Sequence, residues 1–186
     1  LQNRQQQGRD GVWLDLPTTT EQVQAALRQI GISSDNPQGL FISGYFAEEE
    51  KRLAIPYNMV LASSVDELNF LAARLETLSA GERAELNAAL QAPQSELSSI
   101  GRITDFPENV DYYVHLPEVH GPAQLGDYYL NRSGMVDMPE EWKGGIDTAQ
   151  FGRYVAQQEQ GAFTQYGYLV KSGDEWQKVH EGQPVP

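Results

Sequence analysis

SVDELNFLAARLETLSAGERAELNAAL, residues 64–90, carries two helix starts written in the same chemistry. Ser64 with Glu67, and Ser79 with Glu82, are capping boxes. In each, the serine hydroxyl takes one orphan backbone N–H and the glutamate reaches back to another. Behind the first start, Leu68, Leu71, Ala72 and Leu75 fall on one helical stripe; behind the second, Leu86, Ala89 and Leu90 do. Pro93 ends the second helix, because proline disfavours helical geometry in the residue before it. Ser95 predicts a short third helix carrying Leu97 and Ile100. Three short helices in about forty residues make a compact bundle with antiparallel neighbours. Their stripes turn inward, so Asp66, Glu67, Glu76, Glu82 and Glu85 turn outward, isolated carboxylates being costly to bury. Several of these acids stand at helix N-termini, where the dipole favours them. Capping is therefore a structural reason for part of the acid content.

Upstream of the bundle the pattern is mixed. Val12, Trp13, Leu14 and Leu16 form a short strand-like run that stops at Pro17. Thr18 with Glu21 predicts a third capping box, leading into Val23, Ala26, Leu27 and Ile30, with Gly31 as the stop. Asn36-Pro37 marks a turn in a polar loop. Leu40, Phe41 and Ile42, with Tyr45 and Phe46, read as a second strand. One helix on two strands is thin, so a further strand is expected to begin before Leu1.

Downstream the pattern is mixed again. Val110, Tyr112, Tyr113 and Val114 read as a strand, and Leu125, Tyr128 and Tyr129 as a helix ending near Gly134. Asp137 and Pro139 open a short turn of helix, and Asp147 caps a helix bearing Phe151, Tyr154 and Val155. Residues 166–170 and 176–179 predict a hairpin about residues 171–174, followed by a frayed tail from Glu181.

The charge is as uneven as the pattern. The 186 residues carry 26 acids and 13 Lys or Arg, a net of −13. Residues 61–150 hold 15 of those acids and 5 of the bases, a net of −10, so the field is concentrated there. Such a field attracts cations and repels nucleic acid, although acidity alone also serves solubility. The scattered bases make direct nucleic-acid binding unexpected. No apolar run reaches the length of a membrane span. There is no Cys, which excludes disulfides, thiolate metal sites and Cys nucleophiles, and suits a cytoplasmic protein.

Motifs for catalysis are missing. There is no nucleophile elbow, no phosphate loop and no dinucleotide fingerprint. His115, Glu118 and His120 offer two imidazoles and a carboxylate for zinc. Pro117 and Pro122 disfavour a helix there, so the spacing does not gather the ligands on one face. The reading is an extended loop with exposed histidines and no metal, and His180 in the tail is given no part. Asn131-Arg132-Ser133 has the form of a glycosylation sequon and is read as chance.

Four pieces, in order, carry a resemblance. They are Val12-Trp13-Leu14-Asp15-Leu16-Pro17 with its Thr-capped helix, the Asp66-Glu67-Leu68-Asn69 helix, Leu125-Gly126-Asp127-Tyr128-Tyr129, and Phe151-Gly152-Arg153-Tyr154 running on to Gly161-Ala162-Phe163-Thr164-Gln165-Tyr166-Gly167-Tyr168. Together they resemble ArdA-type antirestriction proteins over most of the chain. The resemblance implies an elongated α+β protein of three small domains that pairs into a curved homodimer, with a combined charge of −26. It implies a DNA mimic whose carboxylates stand in for phosphates and occupy the DNA-binding site of type I restriction-modification enzymes. Such proteins are carried by mobile genetic elements.

The expectation is therefore an α+β chain divided into an N-terminal α+β domain (1–62), a helical domain (63–103) and a C-terminal α+β domain (104–186). It has no catalysis, no cofactor and no membrane association. The expected mimic surface is Asp66, Glu67, Glu76, Glu82, Glu85, Glu96, Asp105, Glu108, Asp111, Glu118, Asp127, Asp137, Glu140, Glu141 and Asp147. The alternative is an acidic interaction module of a mobile element with a different protein partner, and a third is an enzyme built on His115, Glu118 and His120.

Overall fold

A computed structural model describes residues 1–6, 10–33 and 38–180. The order is β1 (Gln2–Asn3), α1 (Thr20–Gln29), β2 (Leu40–Phe41), α2 (Tyr57–Leu61), α3 (Val65–Leu75), α4 (Ala80–Gln91) and α5 (Ile100–Thr104). It continues with β3 (Tyr113–Leu116), α6 (Pro122–Asp127), a π-helical turn (Tyr128–Arg132), α7 (Glu140–Lys143), α8 (Thr148–Glu159), β4 (Ala162–Thr164) and β5 (Gly167–Lys171). Among the described residues, helices stand beside small antiparallel sheets, so the fold class is α+β. The chain forms two compact units: residues 1–78, 97–107 and 178–186 make the first, and residues 79–96 and 108–177 the second.

In the first unit, β1 pairs antiparallel with β2, Gln2 opposite Phe41 and Asn3 opposite Leu40. Leu27, Ile30 and Ile32 form a core against Leu1, Val12, Val23 and Leu40. Buried Asn3 ties strand to helix, its Nδ2 donating to the Ile30 carbonyl at 3.0 Å. The cap of α1 lies one residue beyond expectation. Thr19, not Thr18, is the N-cap, and Gln22, not Glu21, answers it, because an amide at N3 accepts from the cap backbone as a carboxylate would. The run from Val12 to Leu16 is not a strand: among the described residues it joins no ladder, and Val12 exchanges two backbone hydrogen bonds with Leu1, at 3.0 and 2.8 Å. Of the expected second strand only Leu40 and Phe41 are paired. The Asn36-Pro37 turn and the tail from Glu181 lie outside the described residues.

α3 begins as expected at a Ser64–Glu67 capping box and buries Leu68, Leu71 and Leu75. Asn69 on its side clasps Thr18, accepting from its N–H at 2.6 Å and donating to its carbonyl at 3.2 Å. α5 packs on α3 but starts at Ser99 rather than Ser95. Ser95 is used elsewhere, donating to the Ala89 carbonyl at 2.6 Å to close the end of α4. Leu97 is buried without being helical.

In the second unit, α4 follows the expected Ser79–Glu82 box. The sheet has the order β3-β5-β4, all antiparallel, with His115 opposite Leu169 and Phe163 opposite Tyr168. The hairpin is therefore β4–β5, not the expected pairing of residues 166–170 with 176–179. β5 is central and both its edges are taken. The backbone at Gln177 is instead held by one side chain: Asn109 accepts from its N–H at 2.7 Å and donates to its carbonyl at 2.9 Å. Val110–Tyr112 is a 3-10 turn, and the strand begins only at Tyr113.

α6 and α8 cross closely through two glycines. A Cβ at Gly126 would land on the Thr148 carbonyl, and one at Gly152 on the Pro122 carbonyl. Asp147 caps α8 as expected, accepting from Gln150 N–H at 2.9 Å. Val119, Leu125, Ala156 and Tyr168 form the core under the sheet. Burial of a side chain the size of Leu125 contributes about 1.5–3 kcal/mol.

Candidate functional site

The fifteen predicted acids fall four in the first unit and eleven in the second. The second unit as a whole has 14 acids against 5 bases, a net of −9, and the first only −4. The negative field thus belongs mainly to one compact body.

Six of the acids are exposed and make no salt bridge among the described residues. Asp66 and Glu76 stand at the two ends of α3, Asp111 in the 3-10 turn before β3, and Glu118 in the turn after it. Asp137 precedes α7 and Glu141 lies in it. Glu108 is exposed as well.

Three acids are caps. Glu67 accepts from the Ser64 backbone at 2.9 Å, and Glu82 from the Ser79 backbone at 2.7 Å. Hydrogen bonds from the side chain and backbone of Ser79 hold the Glu82 carboxyl below its ordinary value. Asp147 is the third. A cap of this kind does not bury the carboxyl group, so Glu67 and Asp147, both exposed, can serve the fold and the field together.

Three acids are drawn into local pairs. Glu96 binds Lys171 at 2.6 Å, and that hydrogen bond raises the lysine pKa. Glu140 binds Lys143 at 2.8 Å, and Asp127 meets Arg132 at 3.7 Å and Asn131 at 2.8 Å. These offer a partner less net charge than their number suggests.

Two expectations need correction. Asp105 is fully buried and cannot be part of a surface; it is paired with His180, which is therefore not an idle tail residue. Glu85 is half-buried on α4, with Oε1 sealed from solvent and without a hydrogen-bond partner among the described residues. Burial first, then repulsion from Glu82 and Asp111, pushes its carboxyl up to about 7. At neutral pH it contributes only part of a charge.

The zinc reading finds no geometry. Glu118 and His120 are exposed, but His115 is half-buried on β3 with Nε2 at 2.7 Å from the Tyr166 carbonyl. Among the described residues no group of three His, Asp or Glu side chains could hold a metal ion. No helix among them is long and apolar enough to cross a membrane.

Other exposed acids lie outside the predicted set. Glu48, Glu49 and Glu50 are exposed in the first unit, and Asp174 and Glu175 in the second. They lie outside the acid-rich section, and their own clustering was the available signal. Glu159 holds the fold together instead, accepting hydrogen bonds from Tyr168 and, at 2.9 Å, from Tyr129. Burial and then that bond raise both phenols above their ordinary range.

No curated protein sequence matches the chain. The family model described as antirestriction protein (ArdA) matches residues 7–170. That span takes in α1, the strands from β2 to all but the last residue of β5, and every exposed acid of the middle section. The chain belongs to the ArdA family of antirestriction proteins.

Proposed function

We propose that this antirestriction protein acts as an acidic DNA mimic, occupying the DNA-binding site of a type I restriction-modification enzyme and so blocking DNA cleavage. The observation that carries the reading is the second unit's net charge of −9, four of whose exposed acids, Asp111, Glu118, Asp137 and Glu141, carry no local cation among the described residues. Free carboxylates compete for the Lys and Arg groups that otherwise hold phosphates, and gain from the same counterion release. The field also speeds encounter and is screened by salt. Chemistry is not needed: the enzyme is inhibited by occupancy.

A homodimer in the cytoplasm, with the chain organised as segments 1–62, 63–103 and 104–186, belongs to the same reading. Competition tests it. The protein should displace a labelled duplex from a type I enzyme at low salt and lose that ability as salt rises. Binding that ignores salt would favour an interaction module docking through apolar surface, and a failure to bind would remove the reading.

A further inference from the structure

We propose that the loop from Ser133 to Asp147 in the second unit is an apolar docking element: Met135 and Trp142, with uncompensated acids beside them in the chain, insert among the cations of the restriction enzyme's DNA-binding site. The inference rests on the mimic reading for its partner, and adds to that reading a contact that salt does not screen.

The loop joins the π-helical turn to α8 and carries α7. Its start is tied down. The Ser133 hydroxyl donates to the Tyr129 carbonyl at 2.9 Å and accepts from the Met135 N–H at 3.1 Å. Its end is tied down as well. The N–H groups of Gly145 and Ile146 donate to the Trp142 and Lys143 carbonyls, and Asp147 caps α8. Three of its apolar side chains, Val136, Met138 and Ile146, are half-buried. Met135 is nevertheless 75% exposed and Trp142 65%, the two most exposed large apolar side chains of the second unit among the described residues. Tryptophan is among the residues most enriched where an interface concentrates its binding energy.

Charge decides what covers them. Residues 133–147 hold four acids and one base, a net of −3. The base, Lys143, is bound to Glu140 at 2.8 Å, whereas Asp137 and Glu141 make no salt bridge among the described residues. A second copy docking through the same loop would bring these acids against their own kind, and like charges oppose such a contact. A cationic partner meets them with Lys or Arg. A site built for DNA offers both halves of the match: cations where phosphates lie, and apolar side chains against base edges. Asp137 and Glu141 answer the first, Met135 and Trp142 the second.

The test is competition of the full chain with a labelled duplex for a type I enzyme, across a salt series. Met135→Ala combined with Trp142→Ala should lose at least about tenfold in affinity at every salt concentration, with the salt slope unchanged. Asp137→Asn combined with Glu141→Gln should instead flatten the slope. Trp142→Phe, which keeps an aromatic ring, should retain most of the affinity. Both side chains are exposed, so these variants should melt with the wild type. An apolar double variant that competes as well as the wild type overturns the docking and leaves the mimic reading standing. Loss of affinity together with conversion of a dimer to a monomer in sedimentation assigns the pair to a contact between copies, and also overturns it. Wild-type protein that displaces no duplex at low salt removes the mimic reading and this partner with it.

Discussion

The Oδ1 of Asp105 accepts twice from His180, at 2.7 Å from its backbone N–H and at 2.9 Å from Nδ1. The carboxylate is fully buried, and the imidazole also packs edge-on against Phe70 of α3 at 5.0 Å. His180 is thereby latched into the first unit. Asp105→Ala removes this acceptor from His180 and is expected to cost about 3 kcal/mol in urea unfolding. Asp105→Asn keeps an acceptor in place and should cost less. An Asp105→Ala protein as stable as the wild type would mean the latch is not formed.

The crossing of α6 and α8 makes a second expectation. Neither glycine leaves room for a side chain, and the obstacle in each case is backbone. Gly126→Ala or Gly152→Ala should separate the helices, uncover Leu125 and Ala156, and cost at least about 3 kcal/mol. Loss of thermal stability checks it, with Gly144→Ala as control, since a Cβ there meets nothing within 4 Å.

Glu85 makes the stability of the second unit depend on pH. Its folded carboxyl titrates at about 7, above the ordinary 4.5, so the fold holds a proton that the unfolded chain releases sooner. The stabilisation is complete below about 4.5 and disappears as pH rises through 7. Discounted for partial exposure, it is about 1–3 kcal/mol. Glu85→Gln should therefore be more stable than the wild type at pH 8 and differ little at pH 4.5. Parallel unfolding curves of the two proteins across that range would contradict the assignment.

Local chemistry was legible in the sequence, and long-range chemistry was not. Both serine capping boxes and the Asp147 cap stand where spacing placed them, because a cap is decided within four residues. Thr19 displaced Thr18 since neighbouring threonines offer the same hydroxyl and Gln22 accepts as a glutamate would. The false hairpin arose because residues 176–179 have strand composition, while the backbone at Gln177 is held by the Asn109 side chain, 68 residues away. The acidic section was legible as charge, but not which acids remain free. Asp105 and Glu85 are distinguished from Asp111 and Glu118 only by burial. The resemblance in the ordered motifs agreed with the family match over residues 7–170.

The most direct measurement is DNA cleavage by a type I restriction-modification enzyme, titrated with this protein at several salt concentrations. The comparison is a variant with Asp66, Glu76, Asp111, Glu118, Asp137 and Glu141 changed together to Asn or Gln. Each exposed charge alone contributes less than about 1 kcal/mol, so single changes should be nearly silent. The combined variant should lose inhibition by at least about tenfold, and the wild type should weaken steeply with salt. Wild-type protein that leaves cleavage untouched at low salt, or a combined variant that inhibits as well as the wild type, would contradict the account.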